Sequence, residues 1–143
     1  MLRNIPPILS PEILWALRAM GHGDDVVIAD ANFPATALGA RVHRLDGLTA
    51  TDVLQAVLTV LPMDRFVDSP ALVMEVVDDP DVVPPIVDEF QTIATTTADI
   101  PVTLDRLERF AFYDRAKTAF AVIQTGETRL YGNIILKKGV IGA

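Results

Sequence analysis

His22 stands between two glycines in Gly21-His22-Gly23-Asp24, just before the apolar run Val26-Val27-Ile28-Ala29 that closes on Asp30. The chain has two histidines, and this one has the setting of an acid/base catalyst. Flanking glycines keep bulk away from the ring, and an imidazole titrates near the working pH. The same tetrapeptide also fits a helix C-cap, with Gly21 in the left-handed cap position and His22 favoured by the helix dipole. Asp30 ends a strand, where ligands of α/β sheets usually sit, but an acid there equally caps the next turn. Asn32 reads as a turn residue. Arg109 and Tyr113 are four residues apart and share a helix face, although a cation late in a helix also suits the dipole. Tyr131 and Asn133 are two apart at the entry to a final strand and so point the same way, able to bond one ligand together or to make an ordinary Tyr-Gly-Asn turn.

These side chains need elements to hold them. Ser10-Pro11-Glu12 predicts a capped helix with Ile13, Leu14, Leu17 and Met20 on one face, stopping at Gly21. Asp25 to Asp30 predicts a strand covered on both faces, and Arg41 to Leu45 alternates as a half-exposed one. Thr49 with Asp52 opens a helix through Leu61. Residues 71 to 77 predict a third strand, followed by an acidic, proline-rich connector and a helix closed by the threonines at 95 to 97. Thr103 is expected to cap a helix running through Leu107 and Phe110 toward Arg115. Strands at 120–125 and 133–136 complete the reading. The alternation predicts one α/β/α domain of three layers with a mostly parallel or mixed central sheet over residues 1–143.

Composition narrows the function classes. At 143 residues with a formal charge of −7, the chain offers no basic face for phosphate backbones, so neither nucleic acid nor an anionic membrane is expected as a partner. Half of it is hydrophobic, yet no run approaches a membrane span of about 18 residues, and the apolar surplus points to contacts between subunits. Cysteine is absent, which excludes thiolate chemistry, and the N-terminus lacks the apolar core of a secretory signal, so cytoplasmic residence is the expectation. There is no phosphate-binding glycine loop, paired-histidine metal motif or nucleophile elbow. The expectation is a site without metal or cofactor for a neutral polar molecule.

The order Ile5-Pro6-Pro7-Ile8-Leu9-Ser10-Pro11-Glu12, Met20-Gly21-His22-Gly23-Asp24, Ala29-Asp30-Ala31-Asn32-Phe33-Pro34, Asp46-Gly47-Leu48, Arg109-Phe110-Ala111-Phe112-Tyr113, Thr125-Gly126-Glu127 and Tyr131-Gly132-Asn133 resembles the RbsD/FucU sugar mutarotase family, in its L-fucose branch. The resemblance implies an RbsD-like fold and an isomerase that exchanges the α and β anomers of a monosaccharide without a cofactor. It also implies a ring-based oligomer, typically a homodecamer, with sites at subunit boundaries. By matching motifs His22 would donate the proton, Asp30, Arg109, Tyr131 and Asn133 would hold the sugar, and Tyr113 would neighbour the site. The ribose branch generally carries histidine where this chain has Arg109. Residues 64 to 100 match only loosely. A ribose-type pyranase or a non-catalytic sugar-binding ring remain the alternatives.

Anomer exchange opens a hemiacetal: the ring oxygen gains a proton as the anomeric hydroxyl loses one, and the free aldehyde turns and recloses. His22 would act as acid toward the ring oxygen, with Asp30 or a phenol assisting at the other oxygen while Arg109 and Asn133 fix the hydroxyls; each positioned group typically contributes about 10²–10⁴-fold. Residues 22 and 30 lie up to ~26 Å apart if extended, too far to serve one sugar along a straight strand. Either the glycines fold His22 back over the strand, or the site joins neighbouring protomers.

Overall fold

The computed structural model describes residues 1–39 and 41–142. Helix α1, Pro11–Ala19, begins where Ser10 Oγ accepts the Ile13 N–H at 3.3 Å and Pro11 occupies the first turn. Strand β1, Asp25–Ala29, is buried along its whole length. A single helical turn, α2 (Ala35–Leu38), leads to β2, Val42–Leu45. Helix α3, Ala50–Leu58, opens with the Thr49 hydroxyl accepting the Asp52 N–H. Strand β3, Ala71–Met74, is followed by α4, Pro85–Thr97, whose threonines Thr92, Thr95 and Thr96 turn their hydroxyls back to carbonyls one turn earlier. Strand β4, Asp105–Leu107, helix α5, Arg109–Lys117, and strands β5, Ala121–Thr125, and β6, Ile134–Lys137, complete the chain.

The strands form one six-stranded sheet in the order β2-β5-β1-β6-β3-β4. Strand β6 runs against both neighbours, β1 and β3, while the β2–β5, β5–β1 and β3–β4 pairs are parallel. The sheet is therefore mixed, and the carboxyl ends of β1 to β5 share one edge with the amino end of β6. Alternation along β1 sorts its side chains: Val26 and Ile28 face the core against α1, α3 and α4, whereas Val27 and Ala29 face the smaller core with Phe112 and Ala116 of α5. This is the expected α/β/α arrangement of three layers.

Two local expectations fail for physical reasons. Residues 105–107 do not enter the helix capped from Thr103. They extend along β3, pairing Leu72 with Asp105 and Met74 with Leu107, because an open edge of β3 offers their backbone a full ladder. The helix starts later, where the Glu108 carboxylate accepts the N–H groups of Phe110 and Ala111 at 2.9 and 3.1 Å. Gly21 is not the left-handed residue after α1 either. Met20 closes the helix in an extended conformation, and the positive φ, 85°, belongs to Gly23.

Asp25, at the start of β1, is buried and ion-paired with Arg115 of α5 and, at 3.0 Å, with Lys137 of β6, so the polar entrance to the central strand is neutralised by two cations from different layers. After β5 the backbone passes so close to the β2–α3 connection that a Cβ on Gly126 would lie 2.0 Å from the Asp46 carbonyl oxygen. We expect Gly126→Ala to cost at least the ~1–3 kcal/mol of ordinary overpacking, since backbone must move. Gly47→Ala, with nothing near its Cβ, should stay within about 0.5 kcal/mol of the parent. Equal denaturant midpoints for the two variants would refute this.

Candidate active site

At the carboxyl edge of the sheet the loops after β1, β3 and β4 and the turn before β6 enclose an open cleft of about 210 Å³, smaller than the ~300–1,000 Å³ of sites for drug-sized ligands. Asp30, Asn32, Phe33, Met74, Val77, Arg109, Tyr113, Leu130, Tyr131 and Asn133 line it. Five of the six expected site residues, Asp30, Arg109, Tyr113, Tyr131 and Asn133, thus converge from three chain segments, at the edge where parallel strands place ligands.

Asp30 and Asn133 are both 4% exposed and read each other reciprocally. The Asp30 N–H donates to Asn133 Oδ1 at 2.9 Å, and Asn133 Nδ2 donates to Asp30 Oδ2 at 3.0 Å. The Asn32 N–H donates to Asp30 Oδ1 at 2.9 Å, so Asp30 closes a turn, as one of its two sequence readings has it, and also lines the cleft. Burial pushes the Asp30 carboxyl above its ordinary value, and the bonds from Asn32, Asn133, Phe33 and Gly132 oppose that without cancelling it.

Tyr131 belongs to the turn before β6 and not to the strand, with φ at +63°, a conformation that costs a non-glycine residue about 1–2 kcal/mol. Its hydroxyl accepts the Val77 N–H at 3.1 Å, which leaves the phenolic proton free for another acceptor. The turn is braced from behind. The buried Glu127 carboxylate accepts from the Arg129 N–H, Nε and Nη2 at 2.9–3.0 Å, and Arg129 Nη1 reaches Glu89 of α4 at 2.8 Å. Arg129 holds the Glu127 carboxyl below its ordinary value. Arg109 Nε donates to the Tyr113 hydroxyl at 3.3 Å, and its guanidinium lies 5.5 Å from the centres of the Phe110 and Tyr113 rings. Tyr113 is fixed in turn against Phe33, ring centres 5.7 Å apart.

His22 is not in this cleft. It sits at the opposite edge of the sheet, in the turn entering β1, where its Nε2 lies 3.2 Å from Asp64 Oδ1. The turn is held by β6: the Gly23 N–H donates to the Lys138 carbonyl at 2.8 Å, Lys137 Nζ to the Gly23 carbonyl at 2.9 Å, and Lys138 Nζ to the Met20 carbonyl at 2.6 Å. The His22 side chain is 46% exposed and that of Asp64 only 4%. Burial alone would raise the Asp64 carboxyl, but the Phe66 N–H and the His22 ring outweigh it and hold it below the ordinary value. Asp64 escaped sequence reasoning because its partner is 42 residues away; its one local signal is the Asx turn to Phe66. The other histidine, His43 on β2, leaves a buried Nε2 without a partner and lies outside both groups. Among the described residues there is no cluster of three or more histidine, aspartate or glutamate side chains arranged to hold a metal.

Comparison with known proteins adds a separate finding. The sequence profile of the RbsD / FucU transport protein family matches residues 3–141. A fucose mutarotase from Mus musculus is 50% identical, with 98% of this chain and 95% of the relative covered. Among solved structures, FucU from Bifidobacterium longum superimposes with a TM-score of 0.92 at 45% identity, covering 98% of this chain and all of that one. The fucose mutarotase of Streptococcus pneumoniae in complex with L-fucose does so at 0.91 and 40% identity, covering 99% and 100%.

The Asp30–Asn133 pair predicts a titration. Its raised value means that the fold favours the protonated acid, so its contribution to stability is full below the unfolded value and is lost as pH rises through the folded one. Asn133→Ala removes a donor to the carboxylate and orphans the Asp30 N–H. It should move the Asp30 titration further up, read from its carboxyl ¹³C shift, and cost about 1–3 kcal/mol. A downward move would contradict the assignment.

Proposed function

We propose that this chain, which belongs to the RbsD/FucU family, interconverts the α and β anomers of L-fucose. It is an isomerase of the mutarotase type, as its relatives are named over nearly the whole chain, and the likeness to a sugar-bound fucose mutarotase supports the substrate. The cleft suits a 6-deoxy sugar. Asp30, Asn133, Arg109 and Tyr131 offer acceptors and donors to hydroxyls, while Phe33, Met74, Val77 and Leu130 supply an apolar wall for a methyl group in place of a hydroxymethyl.

The observation that carries the mechanism is the division of the polar groups between two edges. The cleft holds no imidazole, and the half-exposed His22 side chain stands on a buried Asp64 at the other edge. The reading that unites them places His22 of one protomer over the cleft of a neighbour. There the imidazolium, oriented by Asp64, gives its proton to the ring oxygen while the anomeric hydroxyl loses one toward the Asp30 carboxylate or through the Tyr131 hydroxyl. The C1–ring-oxygen bond breaks, C1 becomes an aldehyde, and rotation about C1–C2 followed by the reverse transfers yields the other anomer. No atom is exchanged with the protein except protons, and the chemistry calls for no cofactor.

Exposed apolar side chains favour the same assembly. Phe66 stands beside His22, Val77 and Leu130 line the cleft, and Phe110 lies against Arg109; all four are exposed. Two different patches that meet head to tail make a contact which closes into a ring when its rotation closes, and stacking of two five-membered rings would give the proposed decamer. No helix among the described residues is long and apolar enough to cross a membrane, and we place the enzyme in the cytoplasm.

Saturation transfer between the anomeric proton signals of L-fucose, with D-ribose and D-galactose as comparisons, reads the activity directly. His22→Ala should lose about 10²–10⁴-fold in exchange rate, and so should Asn133→Ala if the cleft is the binding site. Mixing the two inactive variants through a dissociation and reassociation cycle should restore activity, because some mixed boundaries then join an intact His22 to an intact cleft. Complementation that never appears in verified mixed oligomers would place both groups in one protomer and refute the shared site.

A further inference from the structure

Phe66 is a large aromatic side chain left 69% exposed, yet its backbone is fixed. The segment before it is tied down by the Met63 N–H donating to Asp99 Oδ1 at 2.9 Å and the Asp64 N–H donating to the Lys137 carbonyl at 3.1 Å. Gly139 presses so near that a Cβ there would lie 2.3 Å from the Met63 carbonyl oxygen. The Phe66 N–H then donates at 3.0 Å to Asp64 Oδ1, the oxygen that His22 Nε2 meets at 3.2 Å. One carboxylate oxygen therefore places both the imidazole and the aromatic residue. Their ring centres are 5.6 Å apart and their planes cross at 62°, so the two rings stand on one exposed surface as a fixed pair.

The Asx turn sets where residue 66 stands, and the ring it carries lies close enough to the imidazole that one small molecule can meet both. A galacto-configured pyranose such as L-fucose carries C–H bonds at C3, C4 and C5 on one face, and an aromatic ring packs on such a face where an aliphatic side chain gains less. We infer that Phe66 is a substrate-contacting residue whose ring packs on the apolar face of the sugar that His22 of the same protomer protonates. The inference rests on the reading that His22 serves a neighbour's cleft. On that reading Phe66 closes the solvent side of the cleft opposite the hydroxyl-binding groups Asp30, Asn133 and Arg109, and the sugar is held between a polar and an aromatic wall supplied by different protomers.

The test uses the full chain with Phe66→Leu, Phe66→Trp and His22→Ala, each measured by saturation transfer over a range of L-fucose concentrations and by sedimentation velocity. Phe66→Leu keeps apolar bulk but has no π face. It should raise KM about tenfold, with a smaller change in kcat and unchanged sedimentation, because the contact exists in both ground and transition states. Phe66→Trp should bring KM back toward the parent value. Parental KM for Phe66→Leu, equal impairment of the leucine and tryptophan variants, or a loss that follows dissociation of the oligomer would each overturn the inference. His22→Ala separates the two layers: undiminished exchange there sinks the shared-site reading itself, whereas an inactive His22→Ala beside a parental Phe66→Leu sinks only the role of Phe66.

Discussion

A central strand buried along its whole length governs where polar chemistry can occur. The five residues of β1 are enclosed by β5 and β6 and by helices on both faces, and at about 3.3 Å per residue they separate the two sheet edges by about 16 Å. A charged or titrating group cannot be placed between them without the cost of a buried unpaired ion. Each edge therefore carries its own polar set: Asp25, His22 and Asp64 at the entrance, Asp30 and Asn133 at the exit. A pyranose is far shorter than the gap. If both sets serve one sugar, as proposed, a second protomer has to bridge it, and that demand comes from strand length.

The two edges are stabilised in different ways, and each way suits its role. At the entrance the His22 turn is pinned by backbone and lysine contacts from β6 and the residue after it, so the imidazole is rigidly based but half-exposed. At the exit the acceptors are desolvated. Burial that raises the Asp30 carboxyl makes it a better proton acceptor than a solvated aspartate, while the bonds from Asn133 and Asn32 stop it from rotating. Tyr131 is held in left-handed backbone by a brace of buried Glu127 and Arg129 that never touches the cleft. Strain of this kind persists only where the surroundings over-determine it, and it gathers at functional sites.

Much of this was legible in the chain. Ser10-Pro11, the acid-bracketed run 25–30 and the threonine closure at 97 each carry their own local chemistry, and all appear where that chemistry puts them. The stretch 103–107 was not legible, since its extended form depends on an edge of β3 more than 30 residues away in sequence, and no local propensity reports a free ladder. Gly21 was misread for a related reason. Either glycine flanking His22 permits a positive φ, and the Lys138 contacts from the far end of the chain select Gly23. Distance along the strand was readable from residue count alone, so the separation of His22 from Asp30 could be anticipated, but Asp64 and Phe66 could not: their link to His22 is tertiary throughout.

Mutarotation makes an unusual demand on such a site, because substrate and product differ only in the direction of one hydroxyl and both must bind. Tight complementarity around C1 would trap one anomer. The division between edges resolves this. The groups proposed to hold the rest of the sugar, the interlocked Asp30–Asn133 pair and the Arg109–Tyr113 pair, are paired with each other and need not move during a turnover. The cleft they frame is open, and in the proposed assembly its remaining side would be supplied by a partner whose imidazole addresses the ring oxygen, an atom common to both anomers. In that assembly rotation about C1–C2 would take place at the seam between protomers, where no buried side chain has to shift to let the aldehyde turn. A site enclosed within one chain would have to open a packed core at each cycle; a site on a seam needs only that the seam be wide enough for one carbonyl.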